Sequence, residues 1–273
     1  MTDLYAVMGN PIHHSKSPAI HTQFAEQAKM DLVYSAMLVP LDGFDSAVAE
    51  FFKGSGKGLN ITVPFKEQAF KLADNLTPRA KTAQAVNTLK LLEDGTILGD
   101  NTDGAGLVRD LTVNNLVELS GKRVLVIGAG GAVRGVLQPV LNEHPESVVI
   151  CNRTVAKAET LASEFSELGN ISACEFTELT GAFDVIINGT SASLNGQLPP
   201  IPEACVGSQT SVYDMMYGKE PTAFLVWAKN LGASTLIDGL GMLVEQAAVS
   251  FDVWRGIHPD SLPVLQSLKS QLK

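Results

Sequence analysis

The 273-residue chain is poor in cross-linking material. It has three cysteines, Cys151, Cys174 and Cys205, with no Cys-x-x-Cys pair and no Cys/His spacing of a metal site. A disulfide framework and a structural metal are excluded as the basis of the fold, and a reducing, cytoplasmic setting is expected. Long apolar runs are missing too: the longest, residues 124–133, is half of the ~20 residues that a membrane-spanning helix requires. The N-terminal stretch carries Asp3 and breaks at Gly9, Asn10 and Pro11, so no secretory leader is expected. Basic charge is scarce, with 20 Lys and Arg against 29 Asp and Glu and a net charge of −9. That sign is unsuited to phosphate backbones and anionic membranes, so neither is an expected general partner. His13, His14 and His21 match no metal spacing and are expected at the surface or at helix caps. Trp227 and Trp254 fall within helical patterns and read as core packing.

What is present suits packed cores: hydrophobic residues make up 45%, over a length of roughly two domains. Short β-rich apolar runs (4–8, 33–39, 58–63, 123–127, 148–151, 185–188, 211–214 and 235–237) alternate with helical patterns (18–30, 44–52, 104–114, 132–142, 155–165, 222–230 and 240–254). Alternation of this kind predicts α/β architecture. Residues 86–92 and 96–99 flank Asp94-Gly95, a dipeptide that favours a tight hairpin. The polar run Gly99-Asp100-Asn101-Thr102-Asp103-Gly104 follows and suits a domain boundary. No internal repeat is visible, and residues 191–202 form a long turn-rich loop.

The second half restarts with strand, glycine turn and helix. Apolar residues 124–127 run into Gly128, Ala129, Gly130, Gly131 and Ala132. Glycine at 128 permits the sharp turn, and glycine at 130 lets backbone N–H groups approach a pyrophosphate at the helix N-terminus. Val133 stands where the usual fingerprint has its third glycine. After the next strand the chain reads Asn152, Arg153 and Thr154, with Lys157 one turn on. An NAD-binding unit places an acid near this point. Here a guanidinium fork and a second cation suit a ribose phosphate, so NADP is the expected cofactor. Thr154 is the expected N-cap of the following helix.

In the first half, Ser15-Lys16-Ser17-Pro18 precedes a helix, with Ser17 expected at the N-cap and Pro18 in the first turn. The hydroxyls and free N–H groups there suit a small carboxylate. Residues 60–66, Asn-Ile-Thr-Val-Pro-Phe-Lys, place polar groups and a cation at the C-terminal end of a strand, where α/β sheets bind ligands.

Together, these stretches, Gly9-Asn10-Pro11-Ile12, Ala85-Val86-Asn87-Thr88, residues 99–104 and Asp238 through Gln246 resemble in order the shikimate dehydrogenase family of the NADP-dependent type. The resemblance runs along nearly the whole chain. It implies two three-layer α/β domains, the C-terminal one a Rossmann-type dinucleotide-binding domain: residues 1–102 and 238–273 for substrate and catalysis, 103–237 for NADP, with the site in the cleft between them. The implied activity is reversible reduction of 3-dehydroshikimate to shikimate, on the route to chorismate and aromatic amino acids. Carried over by position, it makes Lys66 and Asp103 the catalytic pair. It sets Ser15, Ser17, Thr62, Asn87, Asp103, Tyr217 and Gln246 around the substrate. It puts Gly128 to Ala132, Asn152, Arg153, Thr154, Lys157, Met215 and Gly239 at the nucleotide. Pro78 departs from the family by standing where an acid is often found, and Lys157 by standing where arginine is frequent.

Two assignments stand for the proton: Lys66 transfers it alone, or Asp103 shares it. Asp103 is also expected to cap the helix that begins at Gly104. The helix near 240 carries Leu243, Val244, Ala247 and Phe251 on one apolar face and is expected to return to the first domain's sheet, bringing Gln246 with it. A quinate/shikimate dehydrogenase of broader range and a non-catalytic NADP-binding regulator are the competing readings. A monomer and a homodimer are both compatible with the sequence.

Overall fold

The computed structural model describes residues 2–272. The chain forms two compact units. The first runs to Gly106 and resumes over Val244–Ser267; the second comprises Leu107–Leu243 and, from Leu268, the end of the C-terminal helix.

The first unit is built on a six-stranded sheet of β1 (Asp3–Gly9), β2 (Leu32–Leu38), β3 (Gly56–Ile61), β4 (Asn75–Leu76), β5 (Thr88–Leu91) and β6 (Ile97–Asp100), in the order 2-1-3-5-6-4. Only β5 runs against the others. The β5–β6 pair is the hairpin that Asp94-Gly95 predicts, with Gly95 at φ +85° and the Asp94 carboxylate accepting from the Thr96 N–H at 2.9 Å. The elements α1 (Ser17–Ala28), α2 (Phe44–Lys53), α3 (Lys66–Leu72) and α4 (Pro78–Ala83) connect the strands. Ala6, Met8, Leu59, Ile61, Phe44, Phe65 and Leu89 form one core, with Phe44 and Phe65 stacked at 4.9 Å. Each of these side chains larger than Ala6 contributes about 1.5–3 kcal/mol by leaving water.

The second unit is a six-stranded, all-parallel sheet: β7 (Arg123–Ile127), β8 (Ser147–Cys151), β9 (Ile171–Cys174), β10 (Val185–Asn188), β11 (Ser211–Asp214) and β12 (Thr235–Asp238). Its order, 9-8-7-10-11-12, is the doubly wound arrangement of dinucleotide-binding domains, with the switch point between β7 and β10. Side chains alternate between two cores. Val124, Val126, Val148, Ile150, Val185 and Ile187 face one; Leu125, Ile127, Cys151, Ile186 and Val212 face the other. The helices are α5 (Asp103–Arg109), which begins in the first unit, then α6 (Gly131–Asn142), α7 (Val155–Phe165) and α8 (Ala223–Asn230). Past Arg109 the expected helix widens into a π-helical turn over Asp110–Asn114, with the Asn115 N–H on the Asp110 carbonyl at 3.1 Å. The buried Asp110 carboxylate draws the turn in by accepting from Asn114, Asn115 and the Tyr213 hydroxyl.

The long C-terminal helix α9 (Leu240–Arg255) enters the first unit at Val244. Its buried face of Val244, Ala247 and Phe251 lies on the first sheet. Trp254 donates to the Leu89 carbonyl at 2.9 Å, over Gly58, where any Cβ would stand 2.4 Å from the indole. The last helix is α10 (Ser261–Leu272). The unit boundaries thus fall inside α5 and α9, a few residues beyond 102 and 237, and the last turn of the C-terminal helix, expected with the first domain, groups with the second unit.

His21 corrects the expectation of a surface or capping histidine. It is fully buried, stacked on Tyr34 at 4.3 Å and surrounded by Phe24, Phe251 and Trp254, with neither ring nitrogen hydrogen bonded. Burial pushes its pKa down to about 3, against a smaller opposing influence of Asn60. The folded chain therefore holds His21 neutral. Its contribution to stability is complete above pH ~6.5 and is lost as pH falls from there toward 3. Between pH 7.5 and pH 5 the cost is about 2 kcal/mol. Urea denaturation at the two pH values should show His21→Phe losing less stability than the wild type by about that amount; an equal loss in both would contradict it.

Val133 is fully buried, and a Cβ on Gly189, just beyond β10, would lie 2.4 Å from its Cγ2. The close approach that the fingerprint's third glycine normally provides on the helix is supplied here by the facing strand. Gly189→Ala should cost about 1–3 kcal/mol by overpacking. Combined with Val133→Ala, the loss should fall short of the sum of the two single losses; strict additivity in urea denaturation would contradict the contact.

Candidate active site

Lys66 opens α3 just after β3, and Asp103 opens α5 just after β6. These strands are parallel within the first sheet, so both residues emerge at the same edge. Lys66 Nζ donates to Asp103 Oδ2 at 2.6 Å, with the lysine side chain 30% exposed and the aspartate 12%. The expected capping role of Asp103 is corrected. The helix begins at Asp103 itself, whose N–H is taken by Asn101 Oδ1 at 3.1 Å, and the carboxylate is left to face Lys66 and Asn87.

Asn87 stands behind the pair and is almost fully buried. Its Nδ2 donates to Asp103 Oδ1 at 2.8 Å, Thr102 Oγ1 at 2.9 Å and Gln246 Oε1 at 3.3 Å. Its Oδ1 accepts from the Thr88 hydroxyl and the Thr102 N–H, each at 2.9 Å. One layer further in, Asn60 Nδ2 donates to the Asn87 carbonyl, Thr88 Oγ1 and Ser250 Oγ, while its Oδ1 accepts from the Tyr34 hydroxyl at 2.7 Å. The Tyr34 hydroxyl also has Ser17 beside it, and burial pushes its pKa well up. A continuous buried network thus links Ser17 to Asp103.

Ser15 and Ser17 follow β1, and Thr62 follows β3, where the Asn10 N–H reaches the Val63 carbonyl at 3.0 Å. Thr62 is half-buried and Ser17 is buried. The expected N-cap at Ser17 is corrected: Lys16 holds the cap position, and Ser15 Oγ accepts from the Ser17 N–H at 3.3 Å. The first sheet edge thus carries Ser15, Ser17, Thr62, Lys66, Asn87, Asp103 and Gln246. The chain's carboxylate there is tied up with a lysine, and the rest are neutral donors and acceptors suited to a small polyhydroxylated acid.

In the second unit, Gly128 turns the chain at φ +112°, a conformation other residues adopt only with strain, and its N–H is held by the Cys151 carbonyl at 2.7 Å. Gly130 caps α6, and a Cβ on Gly130 or Gly131 would meet nothing within 4 Å. This open turn, with Ala129 and Ala132 beside it at the N-terminus of a 12-residue helix, fits a pyrophosphate. After β8, Asn152 Nδ2 donates to the Thr154 carbonyl at 2.9 Å, and Arg153 and Lys157 are exposed. Thr154 sits at the N-cap of α7, but its hydroxyl makes no cap bond. The donor set fits the phosphate-bearing dinucleotide.

Met215 and Tyr217 follow β11, and Gly239 follows β12. A Cβ on Gly239 would lie 2.1 Å from the Met215 carbonyl, so only glycine fits there. Burial, followed by the charge of Asp238, pushes the Tyr217 hydroxyl up. Tyr217 therefore belongs to the second unit, whereas the other expected substrate residues lie in the first. Asp214 anchors the Met215 loop by accepting from Thr222 at 2.6 Å and the Met216 N–H at 3.1 Å; burial pushes its carboxyl up against these bonds.

The sequence pattern gives no individual role to Thr88, Thr102, Ser250 or Asp214, and marks Asn60 only as one of the polar groups of residues 60–66. Ser250 carried a legible signal, because it lies one turn beyond Gln246 on α9, whose carbonyl its hydroxyl meets at 2.9 Å. Asp100 was another omission. Its carboxylate takes Thr77 at 2.6 Å, Arg79 Nε at 2.7 Å and the Asn101 N–H at 2.7 Å, and so fixes the start of the Asp100–Asp103 turn. Among the described residues no group of histidine, cysteine and acid could hold a metal ion, and no helix is long and apolar enough to cross a membrane.

Family models match three stretches: the shikimate dehydrogenase substrate binding domain over residues 7–89, shikimate/quinate 5-dehydrogenase over 110–195, and the shikimate 5'-dehydrogenase C-terminal domain over 239–269. The chain is similar to the shikimate dehydrogenase (NADP(+)) of Alkalilimnicola ehrlichii, with 60% identity across 99% of this chain and 100% of that one. Among solved structures, it resembles the Ael1 enzyme of Pseudomonas putida, with 45% identity, TM-score 0.95 and full coverage of both chains. It also resembles the shikimate 5-dehydrogenase of Thermus thermophilus in complex with NADP(H) and shikimate, with 30% identity, TM-score 0.88 and full coverage of both. Identity of this extent over the whole length, on a mixed sheet followed by a doubly wound one, shows that the chain belongs to the shikimate dehydrogenase family.

Proposed function

We propose that this chain is an NADP-dependent shikimate dehydrogenase, which interconverts shikimate and 3-dehydroshikimate on the route to chorismate and aromatic amino acids. One observation carries the reading: the Lys66–Asp103 pair, 2.6 Å apart at the edge of the first sheet, is present in a chain that is 60% identical end to end to an enzyme of that name. The cytoplasm is its setting and a small molecule its partner; the net charge of −9 supports this over nucleic acid. The reading holds for a monomer or a homodimer.

The first unit, with the returning C-terminal helices, holds substrate, and the second holds the dinucleotide. NADP, when bound, supplies the two-electron hydride chemistry. In oxidation the substrate hydroxyl must lose its proton as its carbon is oxidised. The Lys66–Asp103 pair takes that proton and returns it in the reverse direction, work that typically contributes about 100- to 10,000-fold. The Lys66 ammonium meets negative charge developing on the oxygen. Asn87 holds Asp103 at its far oxygen, so that Oδ2 stays on Lys66. Ser15 and Ser17 take the substrate carboxylate. Thr62, Asn87, Asp103 and Gln246 take its hydroxyls, and Tyr217 is assigned to the substrate on the family resemblance. A substrate lacking one hydroxyl would forgo a hydrogen bond to these groups, which disfavours it against shikimate.

For the nucleotide, Gly128 to Ala132 receive the pyrophosphate, with Met215 and Gly239 assigned beside the nicotinamide. Arg153 and Lys157 meet the ribose phosphate beside Asn152 and Thr154. The purified chain should form NADPH from shikimate. NADH formed in preference from quinate would favour the broader quinate/shikimate reading, and binding of NADP without turnover of either would favour the regulator. Arg153→Asp replaces a charge-assisted pair with a repulsion. It should raise KM for NADP by at least about tenfold and narrow the preference over NAD; an unchanged preference would remove Arg153 from the phosphate site.

A further inference from the structure

Cys151 ends β8 and Cys174 ends β9, and the two are register partners on neighbouring parallel strands. They are 23 residues apart in sequence, yet their sulfurs are 3.7 Å apart, and both are free thiols. Cys151 is fully buried, whereas Cys174 is half-exposed on the edge strand of the sheet. Neighbouring strands are ~4.8 Å apart, within the Cα range that a disulfide spans. An S–S bond is ~2.05 Å long, so closing it must bring the two sulfurs, now 3.7 Å apart, about 1.6 Å nearer and so pulls on both strand ends.

That pull would act where the nucleotide elements are tied together. The Cys151 carbonyl accepts the Gly128 N–H at 2.7 Å and so couples β8 to the glycine turn, and residues Asn152, Arg153 and Thr154 follow directly. We propose that Cys151 and Cys174 form a reversible disulfide in the presence of a hydroperoxide, and that the bond weakens NADP binding by displacing the phosphate loop. The proposal rests on the assignment of Arg153 and its neighbours to the ribose phosphate.

Cys174, the more accessible of the two, reacts first, its sulfur attacking the peroxide O–O bond to give a sulfenic acid and an alcohol, or water when the oxidant is hydrogen peroxide. The Cys151 sulfur then displaces the hydroxyl, which leaves with the thiol proton as water. Two thiols lose two electrons and two protons in all, and the peroxide gains them. Burial pushes the Cys151 thiol up, which fits its role as the second and not the first sulfur to react.

The test treats the reduced full chain with hydrogen peroxide. Free thiols are counted, non-reduced peptides are mapped by mass spectrometry, and KM for NADP is measured before treatment, after it and after dithiothreitol. Free thiols should fall from three to one with a single 151–174 cross-linked peptide. KM for NADP should rise by about tenfold, the equivalent of one charge-assisted hydrogen bond, and dithiothreitol should restore it. Cys174→Ala should keep the basal KM and lose the response to peroxide. Three surviving thiols, a cross-link through Cys205, an unchanged KM in cross-linked protein, or equal sensitivity of Cys174→Ala would each overturn the switch alone. An untreated chain indifferent between NADP and NAD would overturn the phosphate-loop assignment and the proposal with it.

Discussion

The Asn87 carboxamide fixes the geometry of the first unit's sheet edge. Its nitrogen is committed to Asp103, Thr102 and Gln246, and its oxygen to Thr88 and Thr102. Turning it over would set its oxygen against the Asp103 carboxylate and cost several buried hydrogen bonds at once, each unsatisfied group carrying about 1–3 kcal/mol. Asp103 is thereby held with one oxygen inward and the other on Lys66. Strand β5 runs against its neighbours, so Asn87, just before it, arrives at the edge where β3 and β6 end. The single antiparallel strand is what lets a residue preceding a strand join residues that follow strands.

Behind Asn87 the network ends on the His21 box. Tyr34 bridges the two, hydrogen bonded to Asn60 at its hydroxyl and stacked on His21 at its ring. A polar layer fully satisfied on one side and an aromatic layer on the other leave the site little freedom to relax. The returning α9 belongs to both layers, since Gln246 and Ser250 join the polar one while Phe251 and Trp254 close the aromatic one. In the second unit, Asp214 and Gly189 do comparable work by anchoring the Met215 loop and admitting Val133.

Much of this was legible in the sequence wherever a motif combined periodicity with special backbone residues. The Arg123–Ile127 run into Gly128 specified strand, turn and helix, and Asp94-Gly95 specified the hairpin. The stripe of Leu243, Val244, Ala247 and Phe251 specified a helix with a face to bury, of which Leu243 stays half-buried and belongs to the second unit. Helices α3 and α4, of seven and six residues, were missed because two turns or fewer display no periodicity. Strand β9 was missed because an edge strand reading Ile-Ser-Ala-Cys has no continuous apolar run, and α10 because its Ser- and Gln-rich face hides its apolar residues. Cap positions were misjudged by one residue at Ser17 and Asp103, since in both cases a side chain two residues earlier takes the first helical N–H. The burial of His21 and the meeting of Cys151 with Cys174 depend on long-range packing, which spacing along a chain does not encode.

The central claim is that Lys66 and Asp103 act as one unit and not as two independent contributors. A double-mutant cycle on kcat for shikimate oxidation tests it directly, with Lys66→Ala, Asp103→Ala and the double variant compared with the wild type. If the pair is a unit, each single change removes most of what the pair provides, and the double variant falls no more than about tenfold below the weaker single. A double variant whose loss equals the product of the two single losses would show that the residues contribute independently, and would contradict the account.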